Sequence, residues 1–198
     1  MAAKTKQELK DVFNGISSLY YQSAVADLSV GTVSITPEFD LPVTVDTLQI
    51  TQDDPTVNHY KVVGLDGDWT SSASLGDMNI QFTVPTKAKD VLTLAYGADA
   101  VKDITKLTIT TGDADVDNST KGYKGFSVML KKKKVTGTFV IVDEEKNNIM
   151  VMTNVSLWAK PLYDNPGTEP FAIQFTGTME GAGSQSMAWA TKNTEGEV

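Results

Sequence analysis

His59 is the only histidine in the chain, and there is no cysteine. Any chemistry that needs an imidazole must therefore use His59, and thiolate nucleophiles, thiolate metal cages and disulfides are excluded. A Ser–His–Asp triad would have to recruit His59 from a predicted hairpin strand, and no G-x-S-x-G turn stands elsewhere in the chain. Asp113, Asp115 and Asp117 form a D-x-D-x-D run of the kind that coordinates calcium. An EF-hand loop needs glycine at its sixth position and an acid at its twelfth, where this chain has Asn118 and Lys124. The run reads as a solvated acidic loop, with an irregular calcium site as its alternative. Asp53–Asp54 and Asp66/Asp68 are acidic pairs. They could do acid–base work only if desolvated, and turn formation accounts for them more simply. No catalytic or cofactor-binding residue emerges, no cofactor is implied, and the chain reads as a non-enzyme.

Two further groups have a chemistry of their own. Lys131 to Lys134 are four consecutive lysines. Such runs often meet nucleic acid, but this one has no interleaved aromatics and falls between two predicted strands. It reads as a solvated turn, or as an ion-pair patch against acidic loops of an adjacent copy. Trp69, Trp158 and Trp189 could form a carbohydrate platform, or could pack in a core or an interface.

The composition narrows the partners. All 17 basic residues are lysine, set against 25 acids for a net charge of −8. With no arginine fork and an acidic balance, tight nucleic-acid binding is disfavoured, whereas an acidic wall lets DNA pass without sticking. No apolar run is long enough to span a membrane. No apolar stretch follows MAAKTKQELK, so no signal peptide is expected. The 198 residues suffice for one large β domain.

The elements that would position these residues are mostly strands. In Met78–Val84 apolar and polar residues alternate strictly, and Pro85 ends the run. Thr86 then stands where an N-cap belongs, and Ala88, Val91, Leu92, Ala95 and Tyr96 follow at helical spacing up to Gly97. The pattern predicts a helix over 86–96. Leu9, Val12 and Phe13 share a helical face within 4–14, either docked on the core or forming an arm for a neighbouring subunit. Residues 17–31 have no clean period. Further strands are expected at 33–35, at 43–50 with a bulge near Asp46–Thr47, around Leu107 and Ile109, over 126–130, 135–142 and 149–158, over 171–179, and at Met187–Trp189. Residues 59–74 read as a hairpin turning at Leu65-Asp66-Gly67, with Trp69 but little other apolar support. The sum is a mainly β fold, an antiparallel sandwich or open barrel of about ten strands. One helix flanks it, and a short N-terminal helix is possible. The expected domains are an arm over 1–31, a single β domain over 32–191 and a loose tail over 192–198.

The polar faces of these strands carry amides and hydroxyls in place of charges. Thr136, Thr138, Asn154, Ser156, Gln174 and Thr176 are typical. Solvent-facing strands usually carry lysine or glutamate, which block edge pairing. An uncharged face suits strands that pair with another subunit or line a wetted channel.

The block SLGDMNIQFTVPTKAKDVLTLAYG and the second half from VTGTFVIV to FTGTMEGAG resemble the major tail tube proteins of long-tailed bacteriophages. The resemblance implies a β-sandwich subunit that forms hexameric rings, stacked into a hollow tube for DNA passage. It implies a virion protein, assembled in the bacterial cytoplasm, whose partners are its own copies and other tail proteins, with no membrane. It would place 86–96 as the flanking helix and draw lumen strands from 135–142, 149–158 and 171–179. The contact elements would be the N-terminal arm (Leu9, Val12, Phe13) and the 59–74 hairpin (His59, Tyr60, Trp69). The alternative reading is a monomeric β-sandwich that binds carbohydrate or a cell-surface partner.

Overall fold

The computed structural model describes residues 4, 12–113, 122–180 and 185–192. In chain order the first elements are β1 (Ser18–Gln22), β2 (Phe39–Leu41), β3 (Gln49–Gln52), β4 (Thr56–Tyr60), β5 (Thr70–Ser74) and β6 (Met78–Val84). The helix α1 (Lys89–Tyr96), β7 (Val101–Leu107) and β8 (Tyr123–Val128) follow. The chain then forms β9 (Val135–Val142), β10 (Asn148–Leu162), β11 (Ala172–Met179) and β12 (Met187–Thr191). All strand pairings are antiparallel, as expected for a mainly β chain.

The principal sheet runs β2-β1-β9-β10-β11-β6-β3, with β12 beside the first half of β10. The sheet curls strongly. Phe139 of β9 and Phe82 of β6 are three strands apart in the sheet, yet their rings lie 5.8 Å apart. Phe82 also stacks on Phe175 at 5.2 Å, and Phe139 meets Tyr21 at 5.0 Å. This aromatic line crosses the core. Each fully buried phenylalanine there contributes roughly 1.5–3 kcal/mol from area removed from water. The two outermost strands, β2 and β3, are joined by only seven residues, 42–48. The connecting segment closes the gap, because Thr44 N–H donates to the Thr83 carbonyl (2.9 Å) and Thr47 Oγ1 accepts from Thr83 N–H (3.1 Å). Asp46, at φ 69°, belongs to that connection. The expected bulged strand over 43–50 is therefore a turn, and only its last two residues join β3.

Other boundaries also move. Residues 33–35 form no strand, and the nearby strand is β2. The 17–31 stretch, which has no clean period, supplies β1, which lies between β2 and β9 inside the sheet and not in an arm. β10 runs on through Pro161, although proline there suggests a loop. At that point β9 has ended, and β10 has a partner on one side only. β7 begins at Val101, earlier than its alternation suggests, and ends at Leu107.

The helix appears where expected and buries Val91, Leu92, Ala95 and Tyr96 against the core. Its N-cap is Ala88, not Thr86; the Thr86 hydroxyl instead accepts the Ala88 N–H at 3.0 Å. Gly97 ends the helix at φ 99°, a conformation that favours glycine. Lys133 Nζ donates to the Leu94 carbonyl at 2.9 Å, satisfying a C-terminal acceptor and placing a positive charge at the negative end of the dipole.

Candidate functional site

β3–β4 and β5–β6 form one continuous ribbon. A single register passes from Gln49↔Gln81 and Gln52↔Met78 to Thr56↔Ser74 and Tyr60↔Thr70. Between the two parts Asp53 N–H donates to the Asp77 carbonyl at 2.9 Å. The inner half is a sheet edge. All ten residues of β4 and β5 are exposed, and among the described residues the outer half pairs only within itself. It rises from the edge by about eight residues, on the order of 26 Å. Its nine-residue tip spans 61–69, with Leu65 N–H donating to the Val62 carbonyl at 3.4 Å and Trp69 N–H to the Tyr60 carbonyl at 2.7 Å. The expected tight turn at Asp66-Gly67 is thus replaced by a turn around Val63-Gly64 within a longer loop.

Apolar side chains stand exposed at the tip and on the strand just below it. Trp69 is 67% exposed, and Tyr60, Val57, Val63 and Leu65 are exposed with it. His59 lies on β4 with Nδ1 2.5 Å from Asp68 Oδ2, both side chains well exposed. A solvated pair of this kind fastens the tip weakly.

The second surface is the outer face of β3, β6, β11 and β10. Register places Gln49, Gln81, Thr176 and Trp158 in one cross-strand row, and Thr51, Asn79, Thr178 and Ser156 in the next. Thr136 extends the second row onto β9. Gln174 lies on the same face, opposite Thr83 and Lys160. An open groove of about 410 Å³ lies around Trp158. Alternation does not single out Gln49, Thr51 or Trp158 for this face. The first two follow a turn that conceals their phase, and an isolated tryptophan carries no signal of which neighbours it will have.

Thr138 and Asn154 are placed differently. Thr138 is fully buried. Its Oγ1 donates to the Ala24 carbonyl (2.8 Å) and accepts from Ala26 N–H (2.9 Å), so residues 24–26 cover it. Thr153 Oγ1 fastens the same segment by donating to the Ala26 carbonyl at 2.7 Å. Asn154, at φ 56°, is a bulge residue where the β9–β10 register shifts.

Of the N-terminal contact residues, Leu9 lies outside the described residues, Val12 is exposed, and Phe13 packs partly against the core. Asp115 and Asp117 are likewise outside the described residues, while Asp113 is exposed. Among the described residues no group of three His, Asp or Glu side chains is placed to hold a metal ion, and no helix is long and apolar enough to cross a membrane. The lysine run acts within the chain: Lys131 pairs with Asp99, Lys133 caps α1, and Lys134 meets Glu180 at 2.6 Å. The hydrogen bond from Lys134 holds the Glu180 carboxyl below its ordinary value. The tryptophans share no platform. Trp69 is on the ribbon, and Trp158 lies eight residues along β10 from Met150, the register partner of Trp189.

No family model matches the chain, and no curated protein matches it either. Among solved structures it is similar to the tube-terminating cap of the anti-feeding prophage, determined by cryo-electron microscopy. The identity is 12% and the TM-score 0.38, with 95% of this chain and 100% of that one covered. A TM-score this low does not establish a shared fold.

Proposed function

We propose that this chain is a self-assembling structural subunit of a phage-type tail tube. Copies join into rings, six-membered as the family resemblance implies, and the rings stack into a hollow tube through which DNA passes without specific binding. The observation that carries this reading is the outer ribbon, whose strands are entirely exposed and whose tip presents Tyr60 and Trp69. An isolated two-stranded ribbon is marginal in water, so a partner surface would complete it. His59, Tyr60 and Trp69 form that contact, with Leu9, Val12 and Phe13 as a second one. The hydroxyl and amide face that includes Thr136, Gln174 and Thr176 suits pairing with sister strands or a wetted lumen; Ser156, in the same row, is fully buried. The net charge of −8 repels DNA phosphate from the walls. In this reading the protein belongs to the virion, is assembled in the host cytoplasm and also meets other tail proteins.

Size-exclusion chromatography with light scattering, followed by negative-stain imaging, tests the proposal. Rings or tubes are expected, reduced to monomers by Tyr60→Ser with Trp69→Ser. A strict monomer at high concentration would refute it.

A further inference from the structure

The groove around Trp158 is lined mostly by amides and hydroxyls, together with the indole and Ile80. Gln49, Gln81 and Thr176 stand in line with the indole, and Thr51 and Thr178 flank them; among the described residues no charged side chain lines the space. Its volume of about 410 Å³ falls among small-molecule sites, which run ~300–1,000 Å³. Trp158 is 42% exposed, so part of its ring is open to the groove and solvent. Asn79 is already held by Asp53, its Nδ2 donating at 2.9 Å, and this orients the second row.

This set of groups selects a ligand class. Each glutamine amide both donates and accepts, as does each threonine hydroxyl, which matches neighbouring ligand hydroxyls that do the same. The indole offers a flat apolar surface for the C–H face of a ring. A charged ligand would find no counter-charge in the lining. A purely apolar one would desolvate the amides without pairing them. The first row crosses three inter-strand steps of ~4.8 Å, about 14 Å in all, longer than a single sugar ring. We propose that this groove binds a neutral oligosaccharide, with Trp158 as the stacking platform and Gln49 and Gln81 as the hydrogen-bonding groups. The proposal does not rest on the tail-tube reading.

The test titrates the full chain with maltotetraose, cellotetraose and chitotetraose, and with hexagalacturonate as a charged control. Calorimetry and tryptophan fluorescence provide the readouts. Saturable binding of at least one neutral probe is expected, weakened about three- to tenfold by Trp158→Ala. Gln81→Ala should weaken it as well, while Trp69→Ala should leave it unchanged. Circular dichroism confirms that each variant is folded. Three results would overturn the proposal: no saturable binding of any neutral probe at millimolar concentration, equal binding by folded Trp158→Ala, or preferential binding of the charged control. Loss of ring formation with sugar binding intact would count against the tube alone.

Discussion

Asn154 decides which side chains of β10 face the core. Before it, Met150 and Met152 point inward; after it, Val155 and Leu157 do. Simple alternation puts Ile149 and Val151 on the same face as Val155 and Leu157. The bulge reverses that assignment, because one extra residue exchanges the two faces of a strand. Gly137 opposes Val155 across this irregularity, and the chain leaving β1 crosses close above it. A Cβ there would lie 2.2 Å from the Gln22 carbonyl oxygen and 2.7 Å from the Tyr21 ring. Gly137→Ala should therefore cost about 1–3 kcal/mol in denaturant unfolding, as overpacking does. Asp143, 3% exposed, organises the β9–β10 turn. Burial pushes its carboxyl up. Hydrogen bonds from Asn148 N–H (3.1 Å), the Asn148 amide (2.8 Å) and Asn147 N–H (2.9 Å) outweigh that and leave it below the ordinary 3.8. Its stabilisation is complete above pH 3.8 and is lost as pH falls through the lower folded-state value. Asp143→Asn should melt below the wild type at neutral pH, and the gap should close on acidification below pH 3.8. A constant gap would contradict this assignment.

At the scale of elements, the ribbon and the helix differ in what supports them. The helix is bound on one side by its buried stripe and at its end by Lys133. The outer ribbon has only its own ladder, continued in register from the sheet edge. Replacing 54–76 with a two-residue Asn-Gly turn should leave the core intact and the melting temperature within a few degrees, since few buried apolar contacts are removed. The same deletion should abolish rings in light scattering. Unfolding of the shortened chain would show instead that the ribbon is part of the core and not a separate projection.

At the scale of the molecule, the curled sheet separates functions by face. Inside, the line Tyr21–Phe139–Phe82–Phe175 ties strands from both ends of the chain. Outside, the neutral groove and the exposed ribbon lie on connected elements, since β3 and β6 line the groove and also root the ribbon. Much of the candidate surface is legible in the residues: the hairpin, Trp69 and the uncharged positions of β9 and β11 follow from alternation and turn residues. The segment over Thr138, the intrachain role of the lysine run and the row joining Gln49 to Trp158 are not. Each depends on residues far apart in sequence that no local period connects.

The amino-acid order alone determined the β class, the single described α-helix with its buried stripe, the lack of thiol chemistry and the acidic, arginine-free character. These are local or summed properties, since periodicity and composition need no knowledge of neighbours. Tertiary structure alone decided where the ribbon leaves the sheet, which face β10 turns inward, and which polar residues stand together. Register and curl come from contacts between distant strands, and a bulge of one residue can reverse them.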